Sequence, residues 1–226
     1  MFNRIGVIGA GAMGRGIAQL FASSGQQVQL FDTRAEAIDD ALQFNRNLLQ
    51  RAQAKGKMTE AELEATIARM QPAQKLEDLK DCDLVIEAIV ELLEVKQKLF
   101  ADLEAIVRED CVLATNTSSL SVTRIASSAK HPGRVAGFHF FNPVPLMKIV
   151  EVVRGERTDE RVIEGLVELA NTAGHFPAIT PDTPGFLVNH AGRAFGTEAL
   201  RILSEGVAPP SQIDRILRDG PGFRMG

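Results

Sequence analysis

Nowhere in this 226-residue chain does an apolar run approach the roughly 18 residues that a membrane-crossing helix requires. The N-terminus, Met-Phe-Asn-Arg-Ile-Gly-Val-Ile-Gly, meets its glycines too early to hold a signal-peptide apolar core, so a cytoplasmic location without a membrane partner is expected. Cysteine is scarce. Cys82 and Cys111 lie beside apparent strands without metal-ligand spacing, so they read as reduced, buried thiols, and no metal site is expected. Basic charge is not in excess either: the formal net charge of −4 gives no reason to expect a nucleic-acid partner. Internal repeats and low-complexity tracts are absent. What remains is ordinary for a globular protein, 45% apolar and 24% charged, long enough for one full domain plus a fragment or for two small ones.

Short Val- and Ile-rich runs alternate with helix-length segments. Ile5–Ile8, Val28–Phe31, Leu84–Glu87, Val112–Ala114 and Val135–Phe138 are bounded by Gly, Asp or Asn and read as strands. Helical patterns fall at about Ala12–Ser24, Ala35–Ala54, Glu60–Arg69 and Leu93–Val107. That alternation predicts an α/β fold, a mostly parallel sheet with helices on both faces. A returning strand at Met147–Val153, a helix at Asp159–Ala173 and a strand near Phe176–Ile179 follow. Thr180-Pro-Asp-Thr-Pro-Gly185 interrupts both helix and strand and is the best linker.

Beyond it, Phe186–Ser204 has helical periodicity through Phe186, Asn189, Arg193, Phe195, Ala199 and Leu203, and Ser211–Leu217 starts another helix behind Pro209-Pro210. The chain closes on a turn-like Asp219-Gly-Pro-Gly-Phe-Arg-Met-Gly226, and two short helices do not readily close a core. The expectation is a first domain of residues 1–181 and, over residues 182–226, the start of a truncated all-helical domain.

Gly9-Ala10-Gly11-Ala12-Met13-Gly14 is a GxGxxG, weak by itself, but a strand precedes it and an amphipathic helix begins within it. In that setting Gly9 allows the tight turn, Gly11 lets backbone N–H groups approach a pyrophosphate, and Gly14 brings the helix close to the sheet. Ala12 and Met13 stand at the start of that helix. Asp32 closes the second strand, 23 positions after Gly9. A carboxylate there bonds the adenosine ribose hydroxyls and repels a 2′-phosphate, which favours NAD over NADP, although Arg34 nearby is of a type that accommodates the phosphate.

Asp83-Leu-Val-Ile-Glu-Ala-Ile-Val-Glu91 delivers Glu87 and Glu91 to the carboxyl edge of the sheet, with Lys96 at the start of the next helix. A ligand-binding role and a solvated charge pair both fit these residues. Ala114-Thr-Asn-Thr-Ser-Ser119 follows another strand; its hydroxyls can cap a helix, the commoner use, or donate to a substrate oxygen. His139 follows the strand Val135–Phe138 and sits before the turn Phe140-Phe141-Asn142-Pro143. A histidine in apolar surroundings is usually a satisfied core residue, but oxidation of an alcohol by NAD needs a group that takes the hydroxyl proton, and imidazole suits that task. Glu151, twelve residues on, can bond the second ring nitrogen and stabilise the imidazolium.

Taken in order, Gly-x-Gly-x-Met-Gly-x-Gly-Ile-Ala at Gly9–Ala18, Asp32, Glu-Ala-Ile-Val-Glu at Glu87–Glu91, Asn-Thr-Ser-Ser at Asn116–Ser119, His-Phe-Phe-Asn-Pro at His139–Pro143 and Asp-Thr-Pro-Gly-Phe at Asp182–Phe186 span nearly the whole chain. The sequence resembles the L-3-hydroxyacyl-CoA dehydrogenase family, which includes 3-hydroxybutyryl-CoA dehydrogenases. The resemblance implies a Rossmann-like NAD domain followed by a helical domain that carries homodimer contacts, and an acyl-CoA substrate of fatty-acid metabolism, including β-oxidation.

By motif position it implies that His139 is the catalytic base, Glu151 its carboxylate partner, Ser118 the residue that bonds the substrate oxygen near the nicotinamide, and Asn189 a residue near the thioester carbonyl. Glu91, Lys96 and Asn142 match cofactor contacts, alongside Gly9, Gly11, Ala12, Met13, Gly14 and Asp32. Lys55 or Lys57 is a contact for the CoA phosphates. The chain departs from the family at Leu92, commonly Asn, and at His190, usually Arg, and family members continue beyond residue 226. The implied reaction is the NAD-linked interconversion of (S)-3-hydroxyacyl-CoA and 3-ketoacyl-CoA. A module that binds NAD and acyl-CoA without turnover, and a β-hydroxyacid dehydrogenase for a substrate without CoA, are the competing readings; the latter enzymes typically use a lysine, so the His139–Glu151 pair fits them less well.

Overall fold

The computed structural model describes residues 2–224, so Met225 and Gly226 of the closing turn-like stretch lie outside the described residues. The elements run β1 (Arg4–Ile8), α1 (Ala12–Ser23), β2 (Gln27–Phe31), α2 (Ala35–Ala54), α3 (Glu60–Arg69), β3 (Met70–Pro72), β4 (Leu84–Glu87), α4 (Leu93–Glu104), β5 (Val112–Thr115), α5 (Val122–Ala126), β6 (Val135–Phe140), β7 (Ile149–Arg154), α6 (Glu160–Thr172) and β8 (Phe176–Pro181). All eight strands join one sheet in the order β3-β2-β1-β4-β5-β6-β7-β8. The first six are parallel, β6 and β7 pair antiparallel, and β7 and β8 pair parallel. The arrangement is the Rossmann-like, mostly parallel sheet expected, with the strand order reversing between β1 and β4.

Both sheet faces are covered, and the strands show it residue by residue. Leu84 and Ile86 enter one core cluster with Ile17 and Phe21 of α1 and Leu166 of α6, whereas Val85 enters a second cluster with Phe100 of α4 and Ile125 of α5. Side chains of a strand alternate faces, so a strand buried on both must read as an unbroken apolar run. Phe21, Phe138 and Phe140 meet on the first face, with the rings of Phe138 and Phe140 4.7 Å apart, edge to face.

Helix α3 is bounded by a reciprocal cap: the Thr59 side chain accepts from the Glu62 N–H, and the Glu62 carboxylate accepts from Thr59. Burial barely opposes these bonds at this exposed site, and the Glu62 carboxyl is held below its ordinary value by the backbone and hydroxyl donors of Thr59.

The chain divides into two compact units between Phe186 and Leu187. Residues 182–186 therefore go with the sheet. Asp182 holds them there, accepting from the Ser121 hydroxyl at 2.7 Å and from the N–H groups of Val122 at 3.0 Å and Thr123 at 2.8 Å. The second unit consists of α7 (Val188–Ser204) and α8 (Pro210–Asp219). Within it α7 buries no residue and α8 buries Ile213 alone. Phe186, expected on the face of that helix, instead precedes it in a turn at φ +49°. Among the described residues no helix is long and apolar enough to cross a membrane.

Candidate active site

The parallel strands β1, β4, β5 and β6 all end at one edge of the sheet, and that edge carries most of the residues singled out from the sequence. After β1 the chain turns at Gly9 with φ +101°, a conformation that only glycine adopts readily. A β-carbon there would stand 2.5 Å from the Ala88 carbonyl oxygen, because the loop after β1 and the loop after β4 touch at the strand-order reversal. Gly14 is more restricted still, since its β-carbon would fall 1.7 Å from Gly9 O.

Gly11, between them, has nothing within 4 Å of the place a β-carbon would occupy. It is the N-cap of α1, and neither a capping side chain nor an acidic residue satisfies that helix end, whose first residues are Ala12 and Met13. Unpartnered N–H groups beside open space fit a pyrophosphate. At the end of β2, Asp32 accepts from Ala10 N–H at 2.8 Å and from Arg34 N–H at 3.0 Å. The Arg34 side chain is 77% exposed and 4.0 Å from the carboxylate.

At the end of β4 stands an ion network that the sequence left open to a solvated reading. Lys96 Nζ lies 2.5 Å from Glu87 Oε1 and 3.2 Å from Glu91 Oε2. Lys96 and Glu87 are both buried, and Glu87 is further satisfied by Ile89 N–H at 2.8 Å and by the Thr115 hydroxyl at 2.7 Å. A charge removed from water must be paired and hydrogen-bonded, and these bonds do both. Glu91 faces the loop after β5. It accepts from the Thr117 hydroxyl, from Ser118 N–H at 3.0 Å and from the Ser119 hydroxyl at 3.3 Å. Burial pushes the Glu91 carboxyl up, but the Thr117 hydroxyl, the Lys96 charge and the Ser118 N–H outweigh it and hold the group below its ordinary value.

Ser118 and Ser119 do not cap the helix that follows. That task falls to Ser121, whose hydroxyl accepts from Arg124 N–H at 3.2 Å, while Thr117 accepts from Leu120 N–H at 3.0 Å. The Ser118 side chain is left exposed at the strand-end edge.

His139 and Glu151 are direct partners across β6 and β7. The antiparallel register sets them opposite each other, and His139 Nδ1 lies 2.6 Å from Glu151 Oε2, with both side chains buried. With Glu151 ionised, the carboxylate can only accept, so the proton of this bond belongs to Nδ1, which leaves Nε2 as the ring nitrogen able to exchange a proton. Phe141 packs on the imidazole with ring centres 4.5 Å apart. The end of β6 is held to the Ser118 loop by Phe140 N–H, which donates to Asn116 Oδ1 at 2.9 Å.

Asn142 is exposed beside the cis Asn142–Pro143 bond, just after β6. Lys55 is exposed at the C-terminal end of α2, and Leu92 is exposed at the N-cap of α4. Asn189 lies in the first turn of α7, in the second unit, with His190 after it. The hydroxyls of Thr115 and Thr117, open from the sequence to capping or to substrate contact, donate instead to Glu87 and Glu91, partners 28 and 26 residues away that no local pattern signals.

Comparison with known proteins identifies the family. Residues 4–183 match the family model of the 3-hydroxyacyl-CoA dehydrogenase NAD binding domain, and residues 185–226 match that of the 3-hydroxyacyl-CoA dehydrogenase C-terminal domain. A 3-hydroxyadipyl-CoA dehydrogenase of Escherichia coli K12 is 48% identical over 98% of this chain and 47% of its own length. A 3-hydroxybutyryl-CoA dehydrogenase of Clostridioides difficile is 41% identical over 99% of this chain and 79% of its own. The crystal structure of a 3-hydroxybutyryl-CoA dehydrogenase from Escherichia coli K12 superposes with a TM-score of 0.97 at 47% identity, covering 100% of this chain and 48% of that one. The chain thus spans about half the length of its Escherichia coli relatives and about four-fifths of the clostridial one. With both domain models matched in order and an NAD-binding domain at its N-terminal side, the chain belongs to the 3-hydroxyacyl-CoA dehydrogenase family.

Proposed function

We propose that the protein interconverts (S)-3-hydroxyacyl-CoA and 3-ketoacyl-CoA with NAD, and that His139 is its general acid and base. The observation that carries this reading is the buried His139–Glu151 pair, directly opposed across two strands with Nδ1 engaged at 2.6 Å. A histidine that merely filled the core would not need a carboxylate buried beside it, because burying that charge is costly. NAD, when bound, supplies the hydride acceptor in oxidation and the donor in reduction. Gly9, Gly11, Gly14, Ala12 and Met13 would hold its pyrophosphate, Asp32 its adenosine ribose, and Glu91, Lys96 and Asn142 the side nearer the chemistry.

In oxidation His139 Nε2 takes the proton of the C3 hydroxyl, and in reduction it returns that proton to the C3 oxygen. The imidazolium formed in between is stabilised by Glu151, which also fixes the tautomer. Ser118 and Asn189 have the substrate-orienting roles that the family resemblance implies, and Lys55 that of a contact to the CoA phosphates. Such contacts act by placement rather than by proton transfer. The relatives named for butyryl and adipyl substrates support a 3-hydroxyacyl-CoA substrate class, and a homodimer belongs to the same proposal.

The test follows NADH absorbance with acetoacetyl-CoA and, separately, with a free 3-keto acid. Oxidation of NADH with the thioester alone supports the proposal. Turnover of the free acid alone would favour a β-hydroxyacid dehydrogenase without CoA. Binding of NADH without turnover of either would reduce the chain to a binding module. Light scattering reads the oligomeric state.

A further inference from the structure

The Asp182-Thr-Pro-Gly-Phe186 motif has no part in the transfers above, yet both of its ends are firmly docked on the sheet-bearing unit. Asp182 ties one end to the first turn of α5 through three hydrogen bonds, and its own N–H donates to Arg154 O at 3.1 Å. At the other end Phe186 N–H closes a turn onto Thr183 O at 2.9 Å. Phe186 holds φ at +49°, a region that bulky residues avoid, so its side chain must gain from where it goes. It goes inward. Phe186 is 4% exposed, packs with Val122 and Val153, and sets its ring centre 5.9 Å from that of His139. Val153 stands two residues beyond Glu151 on β7, on the same sheet face, so the ring is wedged beside the His139–Glu151 pair.

We infer that Phe186 is a positioning residue for His139. Its ring and that of Phe141 both pack on the imidazole, restrict its rotation and keep water from it, so Nδ1 stays on Glu151 and Nε2 keeps one orientation. The Asp182 tie and the tight turn hold Phe186 in that place. The inference rests on the reading of His139 as the proton-transferring group, and it gives the linker motif a task in that reaction.

The test compares Phe186→Gly, which removes the ring and relieves the positive φ, with Phe186→Leu, which keeps apolar bulk. Carbethoxylation of each histidine by diethyl pyrocarbonate is followed by peptide mass spectrometry in the whole chain. Exposed His131 is the reference for reagent, and buried His175, its ring nitrogens 3.2 and 3.0 Å from two carbonyl oxygens, is the reference for an intact fold. Phe186→Gly should label His139 several-fold faster while His175 stays protected. Its kcat for acetoacetyl-CoA should fall on the order of 10- to 100-fold with NADH affinity unchanged, and Phe186→Leu should restore most of both.

Unchanged labelling of His139, or a lost kcat that leucine does not restore, would overturn the inference. If His175 becomes labelled in the glycine variant, Phe186→Ala replaces it and must meet the same two criteria. A wild-type chain without turnover would overturn the reading of His139 instead, and the labelling rates would then decide by themselves whether Phe186 shelters the ring.

Discussion

Lys96 Nζ and Glu87 Oε1 stand 2.5 Å apart with 1% of either side chain exposed, an ion pair sealed into the end of β4 and the first turn of α4. Removing one partner of such a pair strands the other, at a cost of about 3–5 kcal/mol. Lys96→Met should therefore lower stability by about that amount in urea denaturation, and adding Glu87→Gln should recover part of the loss. A loss below about 1 kcal/mol for the single variant would mean that water reaches the pair.

For the proposed proton-transfer pair, His139→Gln should lower kcat by roughly 10²–10⁴ and leave NADH affinity unchanged. Glu151→Gln keeps an acceptor for Nδ1–H but loses the charge that stabilises the imidazolium, so kcat falls in the same direction. The chain has neither tryptophan nor tyrosine, so NADH fluorescence reports binding without emission from the protein. Undiminished turnover in the His139 variant would remove it from the mechanism.

The glycine loop makes different stability predictions for two of its positions. Gly14→Ala drives a β-carbon to 1.7 Å from a backbone oxygen, so the helix must move and both stability and NADH affinity should drop. Gly11→Ala meets nothing within 4 Å and should keep stability within about 1 kcal/mol of wild type while weakening NADH. Fluorescence titration and thermal melts read both, and a Gly11 variant with full affinity would exclude a pyrophosphate at that point.

Asp182 makes the tie to α5 dependent on acid. Burial pushes its carboxyl up, but the Ser121 hydroxyl and the Thr123 and Val122 N–H groups outweigh it, and the net value lies below the ordinary 3.8. A carboxylate depressed on folding adds stability above its unfolded value, and that stability is lost as pH falls through the folded value. Asp182→Asn should therefore be less stable than wild type at neutral pH, and the gap should narrow below about pH 4. A gap that stays constant in acid, followed by urea denaturation, would show that the charge of Asp182 contributes nothing.

Both cysteines should be silent to thiol reagents in the native state. Burial, with smaller contributions from neighbouring charges, pushes the Cys82 and Cys111 thiols up to about 12, so almost no thiolate exists near pH 8. Ellman's reagent should titrate two thiols in denaturant and none before it. Prompt reaction of the folded chain would contradict their burial.

Much of the fold could be read from the amino acids because the physics behind it is local. Helix α2 spans Ala35–Ala54, the bounds that its periodicity predicts, and α3 runs from a cap written in Thr59 and Glu62. Strands covered on both faces show as unbroken apolar runs. Edge strand β3 escaped detection because three residues, the last a proline and with one neighbouring strand only, need no apolar pattern. Helix α5 was missed for a related reason: five residues carry too little periodicity to read.

At the candidate site the division is similar. Gly9, Gly14 and Asp32 were legible because a turn, a close approach and a strand-end carboxylate leave marks in the sequence itself. His139 and Glu151 were legible as residue types twelve positions apart, but the strand register alone made them opposite partners. Thr180–Gly185 read as a chain breaker, and from the sequence it was only a linker. That Asp182 grips α5 and Phe186 lies against His139 depended on contacts between segments about 60 and 47 residues apart, which no local pattern encodes. By itself the sequence determined most of the elements, the glycine turn after β1 and the chemistry available. Tertiary structure decided which charges are sealed from water and which side chains meet, because burial and pairing belong to the packed chain as a whole.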